Sequence, residues 1–288
     1  MRTFLYWLVR LGLRPSLAPW NPVAGQRATA AIAGLTAKGP AGATYETTQL
    51  GGVPARRITP ARVRPGQAVL FLHGGAYVIG GPASHAKLAA QIAHAAQAPA
   101  WFVDYRLAPE HPFPAALEDA LAAYRALLAQ NPGRVTLAGD SAGAGLVLAL
   151  AMSIRDAKLP APEALVLLSP WADLTLSGES HRTHAARDPM LRTSWLATSA
   201  AHYAAGRSLS DPLLSPVFGN LTGLPRALVQ VGSEEILLSD AQRVAQGLGA
   251  KLSRFDGLWH DFQAHAGLLP EADRALAEIG EFVGATHA

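Results

Sequence analysis

The sequence predicts an α/β chain built on a mostly parallel sheet flanked by helices. Three observations carry this. Short apolar runs alternate with helical patterns from residue 67 onward, the pattern of βαβ units with right-handed crossovers. Of the 288 residues, 50% are hydrophobic and 16% charged, which suits a large core with a sheet buried on both faces. One segment, Val135 to Met152, reads as strand, tight turn and helix without a break, with Ser141 at the turn.

In chain order, residues 1 to about 43 read as helix and loop, broken at Pro15, Pro19, Pro22 and Pro40. Thr44 to Leu50 and Ala55 to Thr59 are β-prone and separated by Gly51-Gly52, a hairpin signal. Apolar strands follow at Gln67 to His73, Trp101 to Tyr105, Arg134 to Gly139, Ala164 to Ser169 and Arg226 to Gly232, with a shorter one at Lys251 to Phe255. Helical patterns lie between or after them at His85 to Gln97, Phe113 to Gln130, Ser141 to Asp156, Asp240 to Leu248 and Glu271 to Val283. The alternation breaks once. The long stretch from Ser169 to Arg226 contains Pro189, Pro212 and Pro216 and a helical run near Ser194 to Ala205, an insertion placed where lids sit.

Composition narrows the function. The net charge is +3 and the basic residues are scattered, which argues against nucleic acid as a partner. There are no cysteines, hence no disulfide, thiolate metal site or cysteine nucleophile. The apolar run Phe4 to Val9 follows Arg2 as in a signal peptide, but Arg10 and Arg14 interrupt it and no small-residue cleavage site follows. The run is too short to cross a bilayer, so stable membrane insertion is not expected. The expectation is an amphipathic helix that covers a pocket or touches a membrane surface, in a cytoplasmic protein.

Gly139-Asp140-Ser141-Ala142-Gly143 carries the chemistry. A turn this sharp strains the serine backbone, brings strand against helix and demands flanking glycines. It lifts the Ser141 hydroxyl to a helix N-terminus that favours negative charge. Further functional groups are expected beyond the carboxyl ends of the other strands. After the first apolar strand comes His73-Gly74-Gly75-Ala76-Tyr77, a turn able to aim amides at an oxyanion. The expected donors are Gly74, Gly75 and Ala142. Chain order Ser, acid, His points to a C-terminal histidine as base. His260 sits in a strand-end loop, whereas His265 falls in the next helical segment and His287 in a tail. The acid is expected after the strand that ends at Gly232, where Glu235 is preferred and Glu234 and Asp240 are rivals. Asp140 is read as structural, bonding loop amides. Tyr77, Trp171, Trp195 and Trp259 are candidate walls of an apolar substrate pocket.

Taken together, His73-Gly74-Gly75, Asp104 to Glu110, Gly139 to Gly143, Ser169 to Leu174, Asp211 to Pro216 and Gly257 to Phe262 resemble the bacterial hormone-sensitive-lipase family of α/β-hydrolase esterases. The likeness runs in register from about residue 44 to the end. It implies an α/β-hydrolase fold with a mostly parallel eight-stranded sheet, and a helical cap. The cap would combine residues 1–43 with an insertion at about 175–215, leaving 44–288 as the catalytic domain. It implies a serine carboxylesterase acting on short- to medium-chain esters through an acyl-enzyme, with Ser141, Glu235 and His260 as triad and no cofactor or metal. Many members dimerise, so a homodimer is the quaternary state the resemblance raises. Lactone, steryl-ester or amide hydrolysis on the same triad is the close alternative; a hydrolase-like binding protein without catalysis is the distant one. Three departures stand out: Ala76 replaces the family's third glycine, Glu235 stands where aspartate is commoner, and the Glu235 to His260 segment is short.

Overall fold

The computed structural model describes residues 1–130 and 133–285; His287 lies outside them. The chain opens with α1 (Arg2–Leu8), a π-helical turn (Val9–Leu13) and α2 (Val23–Thr36). A hairpin of β1 (Thr44–Leu50) and β2 (Val53–Thr59) follows, turned at Gly51 and Gly52 with φ of 64° and 81°. Both angles are left-handed, as the tight turns of hairpins require. The alternating part runs β3 (Gln67–Leu72), α3 (Pro82–Ala96), β4 (Ala100–Val103), α4 (Ala115–Gln130), β5 (Arg134–Asp140), α5 (Ser141–Asp156) and β6 (Ala164–Leu168). The insertion carries α6 (Ser180–Thr183) and α7 (Thr193–Ala204). β7 (Ala227–Gly232), α8 (Leu238–Leu248), β8 (Lys251–Phe255) and α9 (Pro270–Gly284) complete the chain. β4 ends at Val103 rather than the expected Tyr105, and α3 starts at Pro82 because proline needs no hydrogen-bond partner in a first turn.

The eight strands form one sheet in the order β1-β2-β4-β3-β5-β6-β7-β8. Pairing is antiparallel from β1 to β2 and β2 to β4, and parallel from β4 through β8. Every residue of β3, β4, β6 and β7 is buried. Their side chains alternate between two cores, as the two-residue period of a strand dictates. Leu70, Leu72 and Leu137 join the core under α4 and α5, while Val69, Phe71 and Ala138 join the one under α3 and α9. Burial on both faces is why these strands read as unbroken apolar runs.

The N-terminal helices and the insertion meet above the carboxyl ends of the strands. Arg10 donates to the Ala186 carbonyl at 3.2 Å, Arg14 to that of Ala185 at 2.8 Å, and the Trp195 indole to Gln26 Oε1 at 2.7 Å. Among the described residues no helix is long and apolar enough to cross a membrane.

Candidate active site

β5 passes into α5 with no residue between Asp140 and Ser141, and Ser141 takes a φ of 54°. A left-handed conformation at a non-glycine residue is the strain of a nucleophile elbow. The flanking glycines allow it. A Cβ on Gly143 would strike the Leu72 and His73 carbonyls, and one on Gly139 would meet the Gly143 backbone. The result places Ser141, buried, at the first turn of α5.

Two other strand ends bring their side chains to it. His260 Nε2 lies 2.9 Å from Ser141 Oγ, and its Nδ1 lies 3.0 Å from Glu235 Oε2. The carboxylate fixes the tautomer, because it can only accept and so takes the Nδ1 proton. Glu235 is itself held: Oε1 accepts from the Gly232 amide at 2.6 Å and from Ser169 Oγ at 2.7 Å. Burial works against protonating His260, but the carboxylates of Asp261 and Glu235 outweigh it and hold the imidazole well above its ordinary pKa.

The rival carboxylates point elsewhere. Glu234 makes a two-pronged pair with Arg187 of the insertion, both contacts at 2.7 Å. Asp240 is buried and accepts from the Ala172 and Asp173 amides at 3.0 and 2.9 Å, shaping the loop after β6. Of the three, Glu235 is the one at the imidazole.

The glycine turn corrects one expectation. The Gly74 amide donates to Asp140 Oδ2 at 3.0 Å, so it is not available as an oxyanion donor. A buried carboxylate needs donors of its own, and this amide supplies one. The amides of Gly75, Ala76 and Ala142 have no acceptor among the described residues. Gly75 has a φ of 111° and no room for a Cβ against Ile79, while Ala76 accepts a φ of 54°. The turn is braced by His73, whose Nδ1 donates to the Gly74 carbonyl at 2.7 Å and whose ring stacks on Tyr105 at 4.3 Å. Burial pushes the His73 pKa down to about 3, so this imidazole is neutral.

Sequence reasoning missed His85 and Asp261. His85 Nε2 lies 3.4 Å from Asp140 Oδ2; burial lowers its pKa, but the Asp140 charge prevails and raises it. The only signal was its place in the first turn of a helix after the glycine loop. Asp261 Oδ2 lies 3.0 Å from His260 Nε2. Among the described residues no group of three or more His, Asp or Glu side chains converges as a metal site.

A cavity of about 340 Å³ opens onto Ser141 and His260. Its apolar wall includes Leu8, Leu13, Ile79, Leu88, Met190 and Trp195, drawn from both cap segments and the sheet side. Of the four aromatic residues expected in it, Trp195 alone lines it. Tyr77 instead stacks on Tyr203 with ring centroids 3.8 Å apart, and Trp171 packs beside Tyr77 at 6.0 Å. Trp259 packs edge-on against Tyr6 and His265. Ring pairs of this kind add to what each ring gains by burial alone.

The chain resembles known proteins along most of its length. The profile of the α/β-hydrolase fold family matches residues 69–264. An acetyl-hydrolase of Streptomyces hygroscopicus is 45% identical over 245 residues, 83% of this chain and 82% of that protein. A putative acetyl-hydrolase, LipR, of Mycobacterium tuberculosis is 38% identical over 277 residues, 93% of this chain and 90% of that one. A solved esterase of the bacterial hormone-sensitive lipase family superposes with a TM-score of 0.93 at 38% identity, covering 98% of this chain and 96% of the other.

Proposed function

This chain belongs to the bacterial hormone-sensitive-lipase family of α/β-hydrolases, and from that premise we propose that Ser141, His260 and Glu235 are its nucleophile, base and orienting acid. The protein is a carboxylic ester hydrolase. The observation that supports the assignment is the unbroken line Ser141 Oγ, His260 Nε2, Nδ1, Glu235 Oε2, with spacings of 2.9 and 3.0 Å.

In this reading His260 takes the Ser141 proton as Oγ attacks the ester carbonyl. The charge that develops on the carbonyl oxygen is met by the free amides of Gly75, Ala76 and Ala142, which replace the donor set expected from sequence. Imidazolium then passes its proton to the departing alkoxide, leaving an acyl-serine. A water loses a proton to His260, attacks the acyl group, and the collapse of the second tetrahedral species returns the proton to Ser141. Glu235 holds the ring through Nδ1 and stabilises its charged form. No step calls for a cofactor.

Residues 1–43 and about 175–215 act in this proposal as one cap over the cavity. Short- to medium-chain acyl groups are the proposed substrates, which the size and apolar wall of the cavity support. The cytoplasm is the proposed location; the apolar run that resembles a signal sequence is folded into the cap, with Leu5 and Val9 buried. Purified protein is expected to release p-nitrophenol from acetate to octanoate esters. Ser141→Ala should lower kcat by a factor on the order of a thousand or more. Unchanged turnover in that variant overturns the assignment.

A further inference from the structure

One ring nitrogen of His260 has two neighbours. Nε2 stands 2.9 Å from Ser141 Oγ and 3.0 Å from Asp261 Oδ2. The two contacts favour different protonation states. With the Nδ1 proton donated to Glu235, a neutral ring offers Nε2 only as a lone pair, which Ser141 O–H can use. An ionised Asp261 carboxylate 3.0 Å from Nε2 acts on the ring through its charge rather than along the hydrogen-bond direction that Ser141 occupies, and it favours a proton on the ring. Imidazolium, with Nε2 protonated, cannot serve as the base for Ser141.

The local fold does not otherwise account for Asp261. It precedes the 3-10 turn Phe262–His265 at its N-cap position, yet its side chain makes no capping hydrogen bond. Its φ of 54° is a left-handed conformation, and its amide reaches Ser169 Oγ only at 3.5 Å. Oδ1 is buried without a hydrogen-bond partner among the described residues, an expensive condition for a carboxylate. The residue lines the cavity together with Ser141, His260 and His85. What remains is the contact with the imidazole.

We propose that Asp261 is a positioning residue of the catalytic imidazole: its carboxylate engages His260 Nε2, holds the ring in its protonated form, and so sets the acid limb of the enzyme's pH–activity profile. The proposal rests on the triad assignment above. The imidazole is then clamped between two carboxylates, Glu235 at Nδ1 and Asp261 at Nε2. Three further titratable groups face the pair. Asp188, from the insertion, is buried and sensed by His260. His85 of α3 and Asp140 at the end of β5 are both sensed across the cavity, His85 by Asp261 and His260, and Asp140 by Asp261. His85 and Asp140 largely answer each other at 3.4 Å, and Asp261 is the nearer charge to Nε2. Burial drives the Asp261 pKa up to about 6, against the pull of His260. Above that pH the carboxylate is ionised and its charge acts on the imidazole.

The sign follows from the charge. An ionised Asp261 favours imidazolium, so removing the charge should make the neutral base available at lower pH. Asp261→Asn keeps the shape, and asparagine tolerates the left-handed backbone. The test compares kcat/KM for p-nitrophenyl butyrate from pH 5 to 9 in the wild type and Asp261→Asn, since this parameter reports the free enzyme's ionisations. Labelling of Ser141 by a fluorophosphonate over the same range reads the nucleophile without any alcohol leaving group. In Asp261→Asn both acid limbs should move down by up to about one pH unit, with activity relative to the plateau rising several-fold above about pH 6, where the wild-type carboxylate is ionised, and little changed at about pH 5.5. A limb in the same place, an upward shift, or a uniform loss at every pH overturns the proposal. Failure of the wild type itself to be labelled would instead strike the triad assignment.

Discussion

Glu234 and Glu235 are neighbours in the chain and share nothing in their surroundings. Glu234 is partly exposed and paired with Arg187, while Glu235 is fully buried on His260, Ser169 and the Gly232 amide. Replacing Glu235 by Gln leaves an amide whose NH₂ cannot accept from Nδ1, and the tautomer that Ser141 requires loses its support. We expect kcat for p-nitrophenyl butyrate to drop by a factor on the order of 10²–10⁴, with KM little changed. Glu234→Gln should stay within about threefold of the wild type, because a surface ion pair contributes little. Equal losses in the two variants would remove Glu235 from the triad. The residue scale is also where the sequence was least informative. It placed an acid after β7 and preferred Glu235, but it left Glu234 and Asp240 as rivals, since adjacent residues leave a loop in different directions. It chose Gly74 as an oxyanion donor because nothing in a Gly-Gly pair reveals that Asp140, sixty-six positions on, takes the first amide. Ser141 and His260 could be proposed from sequence because a glycine turn, an elbow serine, an acid and a histidine follow one another in chain order, each beyond a separate strand; the elbow pattern alone is permissive.

The elements were legible nearly to their ends, because strand and helix periods differ and prolines and glycines mark the joints. How elements press on one another was not. Gly34 in α2 reads from sequence only as a weak helix former. In the structure it is buried, it lines the cavity, and a Cβ there would strike the Ala83 carbonyl and the Ser84 Cα of α3. Backbone cannot turn aside as a side chain can, so this glycine fixes how closely the cap lies over the cavity. His85, the next residue of α3, contacts Asp140, so the same joint borders the catalytic machinery. Gly34→Val should lift α2 from α3. The expected result is a rise of several-fold in KM for the octanoate ester, a smaller effect on the acetate ester, and a loss of about 1–3 kcal/mol in stability by denaturant titration. An unchanged ratio of octanoate to acetate KM would show that α2 does not form the acyl wall. The misplacement of Tyr77, Trp171 and Trp259 has the same origin. An aromatic residue near a motif reads the same whether its ring faces a cavity or another ring, and only packing decides.

At the scale of the whole molecule the charged and neutral forms of buried groups tie folding to pH. His265 shows this outside the triad: it packs edge-on against Trp259 at 5.7 Å, and burial pushes its pKa down to about 4. In the unfolded chain a histidine titrates near its ordinary value, about 6.5. Between these two values the unfolded chain binds a proton at this site that the native protein refuses, so its contribution is fully present above about pH 6.5 and is lost as pH falls toward 4. Other groups bend the absolute curve both ways. Neutral His73 acts in the same sense as His265, whereas Asp261, raised to about 6, binds its proton more readily when folded and offsets part of the loss. Comparing wild type with His265→Gln cancels those shared contributions, because glutamine does not titrate. Whatever the gap in unfolding free energy at pH 7.5, it should move against the wild type by about 3 kcal/mol by pH 4, most of it between pH 6 and 4.5. Urea titrations of the two proteins at half-unit pH steps measure the gap directly. A gap that stays constant would mean that His265 is protonated as readily in the folded protein as in the unfolded chain, and that the contact with Trp259 is not closed to water.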